Sequence, residues 1–439
     1  MKKTANRQNT LILLKGETRR SLMGFQFIEF KASANFPQCY FKPKQPVSRN
    51  RRKLIGCALF HMEQTLPLKS SVKRYRQLDS LRGLGALSVF FAHFISLKMA
   101  SPLLNTLHQT PLGILCNGTA ALMLFFVLSG FVLSLPFVNN ERPLKLTEFY
   151  IRRIFRIYPA YLFAIILAVL LKQFVFDTNG LEPYAHWLNN VWSWHWDKNS
   201  PLEILKTLLL IGPDFKINYI DPPIWSLVIE MKMSIILPFF ILIVSRGSKA
   251  VNIGFLLVMA WLTYEHNAWA ISVFYLGILM AKYKDQVLAF IQSWKTATVI
   301  GVVILALLLY NNNYELLEPI KRINLPSKYI LSYFLSAIGS CVILMTVLAR
   351  PGASLFFQKR IFTFFGDISY SFYLVHLPLI LTVASLISNR FDYSPVFIFF
   401  AVFILAIALS YLMCIFIEKP LQKFALQLVK KYKASEVVK

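Results

Sequence analysis

In LDSLRGLGALSVFFAHF, residues 78 to 94, Arg82 and His93 stand eleven positions apart within a stretch apolar enough for a membrane helix. At 100° per residue that spacing is three turns plus about 20°, which puts both side chains on one face, about 16 Å apart along the axis. A guanidinium grips anions and an imidazole exchanges a proton near neutral pH, so one face carries the means to hold and activate a single elongated ligand. His93 is an ionisable group deep in an apolar run, a costly placement that predicts an inward-facing side chain. Arg82, by position alone, reads equally well as a juxtamembrane anchor. Gly83, Gly85 and Ala86 leave room for a second helix or a ligand beside them.

Three other positions carry the same kind of signal. Glu230 is a carboxylate inside an apolar run and needs a partner; a hydrogen bond with Ser226 one turn back is the local alternative to a role beside His93. Tyr373 and His376 share a helix face at i, i+3, either lining a cavity or making a polar contact between helices. Ser129 with Gly130 reads as a close helix crossing or a ligand contact. Lys232 points elsewhere on its helix and is not expected to pair with Glu230.

The elements that must position these residues are membrane helices. The chain has 439 residues, 56% of them hydrophobic and 15% charged, and its apolar runs approach the ~20 residues that cross a bilayer core. The class expected is therefore all-α, a polytopic integral membrane bundle. Ten spans are placed near 82–98, 118–138, 157–176, 225–245, 250–264, 268–283, 296–311, 328–349, 367–388 and 396–417, the fifth and sixth being short. Lys and Arg concentrate in one alternate set of connecting segments, beginning with Lys69, Lys73, Arg74, Arg76 and Arg82. That asymmetry puts both termini in the cytoplasm, since basic residues are retained there.

A formal charge of +26 raises the question of nucleic acid. Here the cations lie between apolar runs and act on topology, so no nucleic-acid partner is expected. The five cysteines are scattered without CxxC spacing, and no His set has metal-ligand spacing, so neither a disulfide framework nor a metal site is indicated. RGLGAL lacks the third glycine and the preceding strand of a dinucleotide fingerprint, and NGT at 117–119 abuts a span. Residues 1–61 are basic, with only Glu17 and Glu29 opposing them. They form either a disordered arm on anionic headgroups or a segment upstream of a true start at Met62, the second being expected. The domain division is a basic arm over 1–74, a transmembrane domain over 75–425 and a basic cytoplasmic tail over 426–439. In the long loop at 177–224, Trp187, Trp192, Trp194 and Trp196 are expected to form an interfacial belt rather than to stack on carbohydrate, and LEILKTLLLIG at 202–212 to lie as a helix on the membrane surface.

LDSLRG with His93 eleven positions beyond its arginine resembles the signature of the membrane-bound acyltransferase 3 family, which moves acyl groups onto surface and secreted glycans. FFVLSGF (125–131), RRIFRIYP (152–159), WSLVIE (225–230), FYLGILMA (274–281), GDISYSFYLVHLP (366–378) and EKP (418–420) agree with it in order, over about 75 to 425. Ser80 departs from the pattern, standing where a glycine is common, and is expected to be tolerated.

The resemblance implies an acyl-CoA donor, most simply acetyl-CoA, approached from the cytoplasm, and a glycan hydroxyl met on the far side. No permanently bound cofactor and no metal are implied. Arg82 would hold donor phosphates together with Arg152, Arg153 and Arg156, of which Arg152 and Arg156 share a face at i, i+4. His93 would act as general base, with Glu230 orienting it or binding the acceptor sugar. Ser129, Trp225, Tyr373 and His376 would line the cavity on the acceptor side. Arg82 and His93 are expected to look into one shared passage. The chain ends soon after its last span, so the acceptor is expected to reach the membrane site directly or through a partner protein; a homo-oligomer is the other association left open. A bacterial inner membrane is the family's usual home. The rival class is a transporter or flippase for a glycan or anionic metabolite, whose intramembrane charges would line a path. Paired halves with matching broken helices, its expected mark, are not found. A lipid-binding scaffold leaves the Arg82/His93 register unexplained.

Overall fold

The computed structural model describes residues 74–96, 110–139, 141–176, 192, 201–210, 220–266, 269–312, 328–388 and 395–438. The basic arm at 1–61 and the loop tryptophans Trp187, Trp194 and Trp196 lie outside these. The described residues belong to one of two units, Val72–Lys439, and no β-strand occurs among them.

Helix α1 runs from Arg76 to Ser96 and carries Asp79 in its first turn, where a carboxylate complements the helix dipole. A single 3₁₀ turn at Pro111–Cys116 leads to α2, Gly118–Val138, whose first turn is capped by the Asn117 side chain accepting from the Ala120 amide at 2.9 Å. There follow α3 (Leu146–Phe174), the short α4 (Pro201–Leu208), α5 (Ile224–Arg246), α6 (Lys249–His266), α7 (Trp269–Lys282), α8 (Lys284–Gln292), α9 (Thr296–Tyr310), α10 (Lys328–Ala349), α11 (Pro351–Phe357) and α12 (Arg360–Ser388). The chain finishes with α13 (Pro395–Met413) and α14 (Lys419–Val438), joined without a break by a π-helical turn at Cys414–Glu418.

Seven of these helices are long and apolar enough to cross a membrane: α1, α2, α3, α5, α10, α12 and the continuous α13–α14 rod. Three shorter apolar helices, within α6, α7 and α9, occupy the fifth, sixth and seventh of the expected spans. Large apolar side chains stand exposed on the outside, among them Ile166 and Leu170 of α3, Phe239 of α5, Ile304 of α9 and Ile404 of α13. A water-soluble chain avoids such a belt; a lipid-facing surface requires it.

Glycine sets the closest crossings. A Cβ placed on Gly83 of α1 would lie 2.6 Å from the Gly366 nitrogen of α12, and one on Gly366 would lie 2.5 Å from the Asp79 carbonyl oxygen. Gly130 of α2 and Gly277 of α7 meet in the same way, each with the other helix's backbone where a side chain would be. Gly85 faces the Phe125 ring instead. Ser80 is fully buried and donates to the Phe357 carbonyl at 2.5 Å, so the hydroxyl that departs from the family pattern has a use.

The glycine crossings yield a stability prediction. Gly277→Val drives methyl groups into the α2 backbone and is expected to cost about 1–3 kcal/mol or more, read as a lower thermal unfolding midpoint of the detergent-solubilised protein. Gly254→Ala is the control, since nothing lies within 4 Å of its position, and it should leave the midpoint unchanged.

Candidate functional site

At one end of the bundle α3 delivers three guanidinium groups within its first three turns, because Arg152, Arg153 and Arg156 point around one side of the helix. They line a cavity of about 440 Å³ that is also walled by Arg142, by Glu148 and, from α14, by Gln422. Only Arg153 is buried, where a cation needs a counter-charge, but each arginine of α3 has a carboxylate partner. Arg152 bonds Glu148 at 2.7 Å; Arg153 bonds Glu230 at 2.9 Å and the Ser234 hydroxyl at 2.6 Å; Arg156 bonds Glu418 at 2.6 Å and lies 5.4 Å from the centroid of the Tyr370 ring. Glu148 is shared, since Arg142 and Lys433 (2.9 Å) also bind it. One carboxylate among three cations leaves that wall positive.

Glu418 sits in the π-helical turn, 2% exposed, and also accepts from the Ser371 hydroxyl of α12 at 2.5 Å. The extra residue of a π-turn re-aims a side chain, and here it carries a carboxylate to Arg156. The residues assigned to a tail, 426–438, therefore continue a helix that lies against α3 and supplies Lys433 to Glu148.

Arg82 is one helix turn from Asp79 and bonds it at 3.3 Å. It lies within electrostatic range of Arg153, Arg156 and Glu230; Arg152 is not among its charged neighbours. The cavity wall includes Arg152, Arg153 and Arg156, and neither Arg82 nor His93 is among its lining residues.

His93 is near the opposite end of α1, and its neighbour is another imidazole. His93 Nδ1 is 2.9 Å from His376 Nε2, with ring centroids 5.1 Å apart. His376 is fully buried, and its Nδ1 lies 2.6 Å from the Tyr373 carbonyl oxygen. The Tyr373 hydroxyl in turn is 2.7 Å from Ser226 Oγ and donates to the Pro223 carbonyl at 3.2 Å. Phe90, Phe94, Phe399 and Phe403 pack alongside on α1 and α13, keeping this region apolar.

Several sequence expectations change. Glu230 does not reach His93, nor Ser226: its carboxylate is taken by Arg153, because a guanidinium arriving from α3 is a stronger partner than a hydroxyl on its own helix. The place beside His93 belongs to His376. Trp225 packs edge-on to Trp269, centroids 6.4 Å apart, and Trp269 lies tilted against Tyr333, so Trp225 joins a different set of aromatics from Tyr373. Ser129 is buried beside the Gly130–Gly277 crossing. Trp192 is 1% exposed, donates to the Ile220 carbonyl at 2.8 Å and meets Phe176 edge-on, so this one of the four tryptophans is packed inside the protein. The short α4 is pinned, Tyr158 and Tyr161 of α3 donating to the carbonyls of Leu209 and Thr207.

Sequence reasoning missed Arg142, Glu148 and Lys433 and read Glu418 only as part of the EKP segment; a charged residue at a helix end carries no local signal of the partner it will meet. The same reasoning missed Asp221, which is fully buried just before α5; neither of its carboxylate oxygens has a hydrogen-bond partner among the described residues. Burial pushes its carboxyl well above the ordinary range. No group of three metal-ligating side chains is found among the described residues.

Residues 75–415 match the family model of an acyltransferase domain, the acyltransferase 3 type. No curated protein and no solved structure matches the chain.

Asp221 generates a pH prediction. Its folded-state acidity is weakened, so as pH rises through the carboxylate range the unfolded chain ionises it first, and from about pH 4 upward the residue costs the fold stability. Asp221→Asn removes that cost. The variant should unfold at a higher temperature than the parent at pH 8, with a smaller gain at pH 5; an equal or lower midpoint at pH 8 contradicts the assignment.

Proposed function

The chain belongs to the acyltransferase 3 family and is an integral membrane acyltransferase; from that premise we propose that it moves an acyl group, most simply acetyl, from acyl-CoA to a hydroxyl of a cell-envelope or secreted glycan. The observation that carries this reading is the division of α1 between two chemistries: Arg82 beside the arginine group at one end, the His93–His376 pair at the other. Donor phosphates suit the cavity walled by Arg142, Arg152, Arg153 and Arg156, where planar guanidinium groups make bidentate contacts. Glu148, Glu230 and Glu418 hold those groups in place before the donor arrives. Glu148 also has Arg142 and Lys433, so Arg152 can turn to a phosphate oxygen without leaving that carboxylate unpaired.

The reaction needs one proton moved twice. A neutral imidazole nitrogen of His93 takes the acceptor hydroxyl proton while the oxygen attacks the thioester carbonyl carbon. The tetrahedral intermediate collapses, the C–S bond breaks, and the imidazolium returns the proton to the departing thiolate, giving ester and free CoA. Helix α1 spaces Arg82 and His93 by about 16 Å, a separation an extended donor arm can follow. In this reading the end of the bundle with the arginines is cytoplasmic, both termini lie on that side, the three shorter helices complete ten spans, and the membrane is a bacterial inner membrane.

Reconstituted vesicles test the reading. Adding acetyl-CoA and a glycan should release free CoA and acetylate the glycan; glycan crossing with the thioester intact would instead mark a transporter. Two substitutions should separate the roles. His93→Ala is expected to lower kcat about 100-fold or more with little change in the KM for donor. Arg152→Ala leaves Glu148 with two other cations and should raise that KM about tenfold with little change in kcat.

A further inference from the structure

We infer that His376 is a positioning residue that fixes the tautomer of His93, leaving the lone pair of His93 Nε2 free to act as the base. The inference rests on the acyl-transfer reading above and assigns a role within it.

The argument follows one chain of hydrogen bonds from its fixed end. The Tyr373 carbonyl can only accept, and His376 Nδ1 lies 2.6 Å from it; that nitrogen therefore carries the hydrogen. A neutral imidazole has one N–H, so His376 Nε2 presents a lone pair. His93 Nδ1 stands 2.9 Å from that lone pair and must be the donor. By the same rule His93 Nε2 is left bare. Nothing in the sequence of α1 decides this, since an isolated imidazole populates both tautomers.

The site holds the arrangement firmly. His376 is fully buried, its ring 5.7 Å from that of Tyr373, and the Tyr373 side chain is itself held by Ser226 and Pro223. Turning the His376 ring over would point carbon at both partners and leave the buried nitrogens unpaired, at a cost the apolar surroundings enlarge. Once His93 has taken the acceptor proton, its Nδ1–H still faces the His376 lone pair, and the bond becomes charge-assisted. The proton passes from the acceptor oxygen to His93 Nε2 and then to the leaving sulfur; His376 keeps its own hydrogen throughout. This is the logic of an orienting group behind a histidine base, supplied by a second imidazole in place of a carboxylate.

Two amides that differ by one methylene separate this role from simple packing. His376→Gln places an oxygen near the former Nε2 and can accept from His93 Nδ1–H; His376→Asn reaches only the Tyr373 carbonyl. The full-length protein in vesicles, assayed with acetyl-CoA and acceptor, is expected to lose about 100-fold in kcat as the Asn variant and no more than about tenfold as the Gln variant. The KM for acetyl-CoA should stay unchanged in both. Equal kcat values for the two amides, or wild-type kcat for Asn, overturn the inference. A second measurement does not depend on activity: nitrogen-15 spectra of histidine-labelled protein, with His93→Gln as the assignment reference, should show the His93 hydrogen on Nδ1. Finding it on Nε2 overturns the inference whatever the assay gives. A Nδ1-protonated His93 in a protein that transfers no acyl group upholds the tautomer and removes the function it was meant to serve.

Discussion

The backbone contact between α1 and α12 at Gly83 and Gly366 governs the rest. Two helices that touch without intervening side chains can cross at only one register, and here that register aligns Asp79 with Gly366. It is reinforced where Arg74 bridges Asp79 at 2.9 Å and Asp367 at 3.2 Å. Nearly three turns past Gly83, the same crossing brings His93 against His376. A larger residue at either glycine would separate the helices by more than the slack in a 2.9 Å hydrogen bond. The imidazole pair is thus a consequence of helix packing before it is a feature of chemistry.

Charge compensation is the second organising constraint. Taking a guanidinium out of water costs several kcal/mol unless a partner waits for it, and three carboxylates from three different parts of the chain meet the three arginines of α3. Glu148 comes from the same helix, Glu230 from α5 and Glu418 from the π-helical turn before α14. The Arg153 and Arg156 pairs tie α3 to two other elements, so the cation group doubles as a clasp at that end of the bundle. Arg142 and Lys433 add positive charge around Glu148 without a carboxylate of their own there, which leaves that wall of the cavity positive.

The two centres sit at opposite ends of α1 and differ in kind. At the arginine end the polar groups are many and mutually paired. At the histidine end they are few, and phenylalanine rings fill the surroundings. Low local polarity strengthens each hydrogen bond that remains, so a single contact there can decide a protonation state. The arginine end shares its carboxylates among several cations, while the histidine end rests on few polar contacts.

The sequence by itself determined the helical membrane class, the arginine cluster of α3, and the common face of Arg82 and His93, because all three follow from local periods: the length of an apolar run, residues close together in one helix, and 100° per residue. Ten apolar runs were legible; seven of the described helices have the length to cross alone, and three shorter apolar helices stand where the fifth, sixth and seventh runs were read. Which carboxylate meets which arginine was not legible. Glu230 looked suited to His93 because both are ionisable groups in apolar runs, yet Arg153 claims it. His376 stands 283 positions from His93, and no local period reaches that far. Tertiary structure alone decided these pairings, because a buried polar group is satisfied by whatever the helix crossings bring within about 3 Å, and crossings are set by side-chain volume at the contact rather than by the residues that end up paired.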